Sequence, residues 1–261
     1  MTVAAIVQAR IGSTRLPGKV LEYLGRRTAL ARCLDRTRAI AGVDLVVCAV
    51  PDSPENDPVA EEAADCGAMV VRGDEQDVLA RYAKAAREAE ATVVMRITSD
   101  CPFIDPVISA GVLSLLKDTA ADYASNSAPP LFPHGLDCEA FPASLLYEAD
   151  RRARAAYERE HVTPWIRLNT GFSQVNLRGP GGGLERLRWT LDRPEDLAFF
   201  RAVFDELGER AATASAAEIA GLCLRRPDIA QINAAAADEA RLQTRYPTTR
   251  QTPPVPLALA A

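Results

Sequence analysis

The sequence is short of lysine and histidine and contains no long apolar run. Lysine occurs only at Lys19, Lys84 and Lys117, and the chain has two histidines. The 35 acidic residues outnumber the 30 basic ones, and the net charge of −5 argues against nucleic-acid binding driven by overall charge. No apolar stretch approaches the roughly 20 residues that span a bilayer, so membrane insertion is not expected.

The chain also lacks closely spaced cysteines. Its six cysteines lie far apart and form no Cys-x-x-Cys pair, which argues against a zinc site or a redox dithiol. The first nine residues are apolar but follow no basic segment, as expected for a first strand and not for a signal peptide. We therefore expect a cytoplasmic protein with reduced thiols.

What the chain does contain is an ordinary globular composition, with 48% hydrophobic and 25% charged residues among 261. Apolar, β-rich runs alternate with helical patterns along its first half. Strands are predicted at residues 3–8, 45–50, 69–72 and 92–97, and helices at residues 28–41, 58–66, 77–89 and 106–116. This order is typical of an α/β fold in which a mostly parallel sheet carries helices on both faces.

The regular alternation ends near residue 123. Asparagine, serine and three prolines cluster over residues 123–134, which indicates a loop or an excursion from the sheet. Beyond it, helices are predicted at residues 142–152, 155–169, 194–207 and 216–225, and strands at residues 173–177 and 186–190. We predict one domain over residues 1–243, with residues 123–170 as an excursion for substrate binding or dimerisation. The proline-rich tail at 244–261 is expected to be mobile or to pack as an extended arm.

The turn after the first strand is suited to phosphate. The segment IVQARIGSTRLPGK carries three cations, at Arg10, Arg15 and Lys19. Gly12 and Ser13 allow the backbone to approach a ligand and to present N–H groups to it. Ligands of open α/β sheets bind beyond the carboxyl ends of the strands, where this turn is expected to lie. Cations combined with exposed amides favour a polyphosphate.

Two common nucleotide-binding motifs do not account for this turn. A Walker A motif has four residues between its glycines and then Lys followed by Ser or Thr, whereas here five residues separate Gly12 from Gly18 and Val20 follows Lys19. The Gly-x-Gly-x-x-Gly fingerprint of dinucleotide-binding folds is absent as well. A solvated loop with incidental cations stays open as the alternative to a phosphate site.

Two aspartates come directly after predicted strands and are candidate metal ligands. Asp100 and Asp192 are distant in sequence, but carboxylates at two strand ends can converge on one cation. Mg²⁺ prefers oxygen ligands and is often held by one or two carboxylates together with substrate phosphates. Each aspartate has an alternative role, because Asp192 could cap the helix that begins near Pro194 and Asp100 could cap a turn before Pro102.

The phosphate-binding turn also carries a family resemblance. The segment ARIGSTRLPGK resembles the N-terminal signature of the cytidylyltransferases that activate acidic sugars, the CMP-sialic acid and CMP-KDO synthetases. Relatives of the spore coat polysaccharide type fit best, because Gln8 precedes the motif and Gly-Lys-Val ends it. Five further blocks resemble the same group in the same order. They are RGDEQDVLARY (72–82), RITSDCPFIDP (96–106), HGLDCEAF (134–141), REHVTPWI (159–166) and RWTLDRPEDL (188–197).

This resemblance implies a GT-A-like, Rossmann-type nucleotidyltransferase fold with CTP as donor, Mg²⁺ as cofactor and an acidic sugar or related small molecule as acceptor. It implies that Asp100 and Asp192 bind the metal and that an acceptor hydroxyl attacks the α-phosphorus, releasing pyrophosphate in a step of surface-glycan synthesis. The nucleotide-binding residues it implies are Ala9, Arg10, Gly12, Ser13, Arg15, Lys19, Arg72 and Arg96. Arg10 and Lys19 join the two aspartates as candidate catalytic residues, and no general base stands out.

Two of the nucleotide-binding arginines have alternative interpretations. Arg72 is expected near the nucleotide, where it would contact phosphate or base, or else in a surface ion pair with Asp74 or Asp77. Arg96 lies in the strand before Asp100 and could face the site or be a charge at a strand end.

The acceptor is expected beside the block HGLDCEAF. Period-two alternation predicts that Asp137 and Glu139 share one face of an extended segment. His134, Asp137 and Glu139 could hold sugar hydroxyls, and buried polar anchors are the alternative. His161 completes the expected acceptor site in a segment that relatives use for substrate and dimer contacts, so a homodimer is expected.

Two other functions stay open at this point. A glycosyltransferase with a nucleotide-sugar donor would use the same scaffold, and a non-catalytic nucleotide-binding module would retain the fold. A thiol mechanism at Cys101 is not expected, because the neighbouring Asp100 carboxylate should raise the pKa of the thiol.

Overall fold

The computed structural model describes residues 1–237 and 241–242, so the predicted tail at 244–261 lies outside the described residues. The strands are β1 (Val3–Gln8), β2 (Tyr23–Leu24), β3 (Arg27–Thr28), β4 (Leu45–Pro51), β5 (Met69–Gly73), β6 (Val93–Thr98), β7 (Tyr123–Ser125), β8 (Glu139–Pro142) and β9 (Gln174–Asn176). Seven of them form one sheet in the order β5-β4-β1-β6-β8-β7-β9, and β2 pairs with β3 separately. The predicted α/β fold with a mostly parallel sheet is confirmed.

Helices connect and cover these strands. They are α1 (Ala29–Arg38), α2 (Asp57–Asp65), α3 (Val78–Glu88), α4 (Pro106–Thr119), α5 (Ala143–Arg152), α6 (Ala156–His161), α7 (Pro164–Arg167), α8 (Pro194–Leu207), α9 (Ala216–Arg225) and α10 (Pro227–Gln231). Side-chain caps fix where several begin: Asp77 Oδ1 accepts the Ala80 N–H at 2.9 Å at the start of α3. Within the described ranges, no helix combines the length and apolar character needed to cross a bilayer.

The sheet separates two hydrophobic cores. Along β1, Val3, Ala5 and Val7 face the core formed with α1, α2, α4 and α8, whereas Ala4 and Ile6 face the core formed with α3 and α5. Successive side chains of a strand point to opposite faces, so a strand covered on both sides must be apolar throughout. This explains why β1 and β4 are continuous apolar runs.

The parallel strands place their carboxyl ends at one edge of the sheet. β1 runs parallel to both β4 and β6, which brings Gln8, Pro51 and Thr98 to the same edge. β8 runs antiparallel to β6 and pairs Glu139 with Arg96. The chain after β6 therefore leaves the parallel pattern and builds the side of the molecule next to this edge.

Two predicted elements of the second half differ from the structure. Residues 123–134 are not entirely loop, because Tyr123–Ser125 forms β7 inside the sheet. The single helix predicted at 155–169 is wrong, since α6 and α7 replace it. The break falls at Val162, whose φ is 71°, and Pro164, which has no N–H to donate to a continuous helix, begins α7.

The strand predicted at residues 186–190 is also wrong. This segment joins no strand of the sheet and makes a single parallel bridge between His134 and Arg188. Its backbone pairs with loops instead, because the Trp189 N–H donates to the His134 carbonyl at 2.6 Å. Arg186 ends a 3₁₀ helix at Leu184–Arg186, and the partners of the backbone that follows are irregular segments.

Candidate active site

A cleft of about 1190 Å³ opens at the carboxyl edge of β1 and β6. The turn after β1, the beginning of α3 and the helix α6 form its walls. The sequence-predicted residues that line it are Ala9, Arg10, Gly12, Ser13, Arg15, Lys19, Asp100, His161 and Asp192. Small-molecule sites usually enclose roughly 300–1,000 Å³, so this cleft has room for a nucleotide and a second substrate.

The turn after β1 is held in shape by its own backbone and by a neighbouring loop. The Gly18 N–H donates to the Ile11 carbonyl at 3.1 Å, and Gly18 has a φ of 72°, which glycine adopts without strain. The Ile11 N–H donates to Oδ1 of the buried Asn56 at 2.8 Å, and Asn56 in turn donates to Ser53 Oγ at 2.9 Å. Because these contacts lie within the protein, the turn is preorganised for a ligand.

Arg15, Lys19, Asp100 and Asp192 form one cluster, which we call the cleft ion group. Lys19 Nζ lies 3.1 Å from Asp100 Oδ2 and 2.5 Å from Asp192 Oδ1. Arg15 Nη2 lies 3.2 Å from Asp192 Oδ2. The structure therefore brings the two distant aspartates together, and their carboxylates face cations in the cleft.

A backbone contact fixes the positions of Asp100 and Asp192 relative to each other. The Leu191 N–H, next to Asp192, donates to the Asp100 carbonyl at 2.8 Å. The same segment packs on Gly135, whose φ is 109° and where an added Cβ would come within 2.2 Å of the Trp189 carbonyl oxygen. Only glycine fits a position with both properties. The position of Asp192 thus depends on a loop that is remote in the sequence.

A second cluster supports Asp192 from behind, and we call Arg188, Asp196 and Asn233 the buried anchor. Arg188 and Asp196 make two parallel contacts of 2.8 Å each, and Asp196 is fully buried. Asp196 Oδ2 also accepts the Asp192 N–H at 2.9 Å and the Arg193 N–H at 3.0 Å. Asn233 Nδ2 donates to Asp196 Oδ1 at 2.9 Å. The α8 start is therefore capped by Asp196, and not by Asp192 as the capping alternative proposed.

In the cleft ion group, Lys19 and Asp100 each shift the pKa of the other so that the charged form is favoured. Burial alone would raise the pKa of Asp100, but the Lys19 ammonium and a hydrogen bond from Thr98 lower it to about 2. Burial opposes the charged form of Lys19, yet Asp100 and Asp192 raise the pKa of its ammonium above the ordinary value. Burial and then the Asp100 charge raise the pKa of the Cys101 thiol, in agreement with the expectation from sequence.

The two cleft aspartates fit a divalent cation that shares its ligands with a substrate. Within residues 1–237 and 241–242, no group of three or more His, Cys, Asp or Glu side chains is arranged around a metal position. Asp100 and Asp192 nevertheless converge on a single ammonium. Such a pair of oxygen donors suits Mg²⁺, which commonly takes one or two carboxylates and completes its shell with phosphates and water.

Two predicted nucleotide-binding arginines do not line the cleft. Arg72 Nη2 lies 2.5 Å from Asp57 Oδ1, a partner that neither interpretation of the sequence includes. Arg96 lies behind the cleft, where Nη1 is 3.4 Å from Glu139 Oε2 and Nη2 is 3.4 Å from Gln8 Oε1. Gln8 does line the cleft. Arg96 is therefore one side chain away from the cleft, and Arg72 is on the outside.

The predicted acceptor residues fall into two places, and the first lies beside the buried anchor. His134 Nδ1 is 3.4 Å from Arg188 Nη1, and His134 Nε2 is 3.8 Å from Asp137 Oδ2. Burial lowers the pKa of His134, which favours the neutral ring. Asp137 Oδ1 also accepts from Arg241 Nη2 at 2.6 Å. These contacts place His134 and Asp137 next to the support of Asp192.

The other two predicted acceptor residues, Glu139 and His161, lie near the cleft wall that α6 forms. Glu139 is buried and accepts from Thr163 Oγ1 at 3.0 Å, in addition to its contact with Arg96. His161 lines the cleft, and its ring centroid is 4.5 Å from that of Tyr157. Asp137 and Glu139 contact different neighbours, because β8 begins at Glu139 and the strand alternation does not extend back to Asp137.

Sequence reasoning missed Asn56, Arg81 and Asp196. The buried Arg81 lines the cleft and donates to the carbonyls of Asp74 and Glu75. A signal existed for Arg81, since it falls on the apolar face of α3, where an arginine requires an explanation. A signal also existed for Asp196, because an acidic residue three positions into a helix often bonds back to the helix start. Nothing in the sequence around Asn56 distinguishes it from a loop asparagine.

Comparison with known proteins shows which family the sequence matches. A model described as cytidylyltransferase matches residues 4–204. The spore coat polysaccharide biosynthesis protein SpsF of Bacillus subtilis (strain 168) is 34% identical over 232 residues, which are 86% of this chain and 95% of that protein. A 3-deoxy-manno-octulosonate cytidylyltransferase of Syntrophotalea carbinolica is 30% identical over 132 residues, which are 50% of this chain and 52% of that protein.

A solved structure agrees with this result. A cytidylyltransferase from Leptospira borgpetersenii superposes with a TM-score of 0.83 at 30% sequence identity, covering 88% of this chain and 97% of that one. The match of the family model reaches from β1 into α8 and so includes the turn, Asp100 and the segment that carries Asp192. The fold, the cleft and these similarities together show that the chain belongs to the cytidylyltransferase family.

Proposed function

We propose that this protein transfers CMP from CTP to an acidic sugar or a related acceptor and releases pyrophosphate. One observation carries the proposal: Lys19, Asp100 and Asp192 converge beneath a preorganised turn, within a cleft large enough for two substrates. Family membership supports CTP as the nucleotide. The names of the Bacillus and Syntrophotalea relatives refer to polysaccharide synthesis and to a sugar acid, which supports an acceptor of that class.

The turn would bind the triphosphate. Arg10 and Arg15 are exposed at the cleft, and Lys19 lies at its base, so all three can reach phosphate oxygens. Gly12 and Ser13 line the same wall and leave backbone N–H groups open to a ligand. Cations around the α-phosphate would stabilise the negative charge that develops there when the acceptor attacks.

Asp100 and Asp192 would hold Mg²⁺ in the proposed reaction. When bound, this ion supplies charge neutralisation at the phosphates and favours departure of pyrophosphate. The protein's own contribution is to fix the two carboxylates relative to the turn. The Leu191–Asp100 backbone contact and the buried anchor perform this task, since they leave Asp192 little freedom to move.

The acceptor would enter beside the nucleotide. His161 lines the cleft directly, and Glu139 lies behind Gln8 and Arg96, so this side could orient an acceptor through polar contacts. His134 contacts Arg188 and Asp137, so this pair would help to position the segment that carries Asp192. Of these four residues, His161 lines the cleft, so we propose that it contacts the acceptor directly and that His134, Asp137 and Glu139 position the residues around the acceptor.

A homodimer is part of the proposal. Tyr157 and Leu168, at the two ends of the α6–α7 segment, are 56% and 61% exposed. The family resemblance described above leads us to expect dimer contacts in this segment, where a partner subunit would cover both side chains. Sedimentation of the protein should give a dimer, and Tyr157→Ser together with Leu168→Ser should shift it toward monomer.

The decisive experiment is a pyrophosphate-release screen of CTP, UTP, ATP and GTP against a panel of acidic sugars. We expect release from CTP with at least one sugar acid in the presence of Mg²⁺, and release slower by about 10²–10³-fold for Asp100→Asn. Sugar transfer from a nucleotide sugar without pyrophosphate release from CTP would instead establish a glycosyltransferase. CTP binding without any turnover across a broad panel would favour a non-catalytic module.

A further inference from the structure

Lys19 occupies the point at which the two cleft aspartates meet. Its Nζ lies 3.1 Å from Asp100 Oδ2 and 2.5 Å from Asp192 Oδ1. Mg²⁺ binds carboxylate oxygens at about 2.0–2.1 Å, so an ion shared by these oxygens would coincide closely with the ammonium. The ammonium and a divalent cation therefore compete for the same place.

The remaining oxygens of the pair offer no easy second position. Asp192 Oδ2 faces Arg15 Nη2 at 3.2 Å and Arg188 Nη2 at 3.5 Å. Asp100 Oδ1 lies 3.7 Å from Cys101 Sγ. Both oxygens of Asp192 thus already face cations among the described residues, and a metal held by both aspartates must displace at least one of them.

Displacement is costly for a metal that arrives alone. The Lys19 side chain is only 12% exposed, so an ammonium pushed off its carboxylates would lose its anionic partners while largely withdrawn from water. Removing one partner of a buried ion pair leaves an uncompensated charge, which is strongly unfavourable. Metal binding without another anion in the cleft is therefore opposed by Lys19.

A triphosphate changes this balance. Lys19 and Arg15 both line the cleft, and the Arg15 side chain is 56% exposed. Phosphate oxygens would give both cations new anionic partners, and the two carboxylates would then be available to the metal. Each charge exchanges one partner for another, and none is left unpaired.

We propose that Lys19 is a placeholder for the divalent cation: it neutralises Asp100 and Asp192 until a bound triphosphate draws it away. This inference rests on the proposed use of CTP and adds that the nucleotide favours binding of the metal. Nucleotide and metal bind with positive cooperativity, and the free protein takes up metal only weakly at this pair. Coupling between two ligands is reciprocal, so metal strengthens nucleotide binding by the same factor.

The test measures Mn²⁺ binding to the full chain without nucleotide, by electron paramagnetic resonance of the free ion. Lys19→Met should bind Mn²⁺ at least about tenfold more tightly than the unmodified protein, within the range usual for coupled sites. Lys84→Met, an equivalent change at an exposed lysine, should leave Mn²⁺ binding unchanged. Adding Asp192→Asn to Lys19→Met should abolish the gain, which assigns it to this pair.

Equal Mn²⁺ affinities of Lys19→Met and the unmodified protein would overturn the proposal, as would a gain that persists with Asp192→Asn. Lys19→Gln removes the charge but keeps a donor for the carboxylates, so it provides a folded second variant and should also bind Mn²⁺ more tightly. Because this measurement uses no nucleotide, its failure refutes the placeholder even if CTP is turned over. Absence of CTP turnover refutes the proposed function independently of the Mn²⁺ result.

Discussion

The cleft ion group and the buried anchor lie at the two ends of the segment from Asp192 to Asp196, and each of them pairs aspartate with arginine. In the cleft ion group, Asp100 and Asp192 retain 26% and 17% of their side-chain exposure. In the buried anchor, Asp196 retains none, and Arg188 retains 6%. The carboxylates that would bind a ligand therefore keep contact with water, whereas the carboxylate that positions the backbone is fully buried and hydrogen-bonded.

The largest effect should come from breaking the buried anchor. Asp196→Ala removes the two 2.8 Å contacts of the buried Arg188 guanidinium, which is left with the longer 3.5 Å contact to Asp192, and it removes the acceptor of two backbone N–H groups. We expect the free energy of unfolding to fall by about 3–5 kcal/mol, as for other buried pairs that lose one partner. Denaturant titration followed by circular dichroism measures this loss.

A matched surface pair provides the control for this prediction. Arg226 and Asp228 make the same two-contact arrangement, at 3.0 and 2.8 Å, on the exposed side of the molecule. Asp228→Ala should leave the free energy of unfolding nearly unchanged, because exposed pairs contribute little. Equal losses in the two variants would show that burial does not distinguish the anchor.

The next effect should be on turnover and not on stability. Asp100→Asn keeps the size of the side chain but removes a charge from the cleft ion group. We expect the rate of pyrophosphate release to fall by about 10²–10³-fold, the usual cost of losing one preorganised electrostatic contact. The free energy of unfolding should change less than in Asp196→Ala. Asp57→Asn, the same change outside the cleft, should retain full activity.

A smaller effect should follow from loosening the turn. Asn56→Ala leaves the Ile11 N–H without its buried acceptor, at a cost of about 1–3 kcal/mol in stability. Because the turn is then less preorganised, KM for CTP should rise more than kcat falls. Ser53→Ala keeps the Asn56–Ile11 contact and should change KM less. A loss confined to kcat would assign Asn56 a role in the chemical step instead.

Acid should expose the contribution of the cleft ion group to stability. The pKa of Asp100 is about 2 in the folded protein, below the ordinary value of about 3.9. The Asp100 carboxylate therefore stabilises the fold above about pH 4, and this contribution is lost as the pH falls toward about 2. Denaturation across this range should give a flatter pH dependence for Asp100→Asn. Parallel curves for the variant and the unmodified protein would contradict the prediction.

The smallest effect is expected at Arg72. Since its guanidinium contacts the half-exposed Asp57 and lies outside the cleft, Arg72→Ala should leave Kd for CTP within about twofold, as expected for a surface ion pair. Calorimetric titration with CTP measures this directly. A tenfold weakening would show that Arg72 moves to the nucleotide, as the sequence analysis expected.

The parallel half of the fold could be predicted because its strands are buried on both faces. Continuous apolar runs identify β1 and β4 without knowledge of their partners. The segment from Arg188 to Leu191 could not be predicted in this way, since its backbone bonds to His134 and Asp100 in irregular loops. A local pattern gives the conformation of an extended segment but not the identity of what it pairs with.

In the candidate site, too, the partners of the side chains could be predicted only in part from the sequence. The convergence of Asp100 and Asp192 was expected from two strand ends, and it occurs although the second strand does not exist, because the Leu191–Asp100 contact takes its place. Which carboxylate an arginine selects depends on three-dimensional proximity, so the Arg72–Asp57 and Arg96–Glu139 contacts could not be predicted from the sequence.

The tight packing of Gly135 on the Trp189 carbonyl has a consequence for how this protein tolerates change. Any larger residue at 135 would displace the segment that leads to Asp192, although Gly135 itself has no side chain that could contact a substrate. A saturation-mutagenesis survey scored on product formation would therefore find position 135 about as intolerant as the aspartates. If every intolerant position were taken to contact substrate, Gly135 would be assigned to the cleft wrongly.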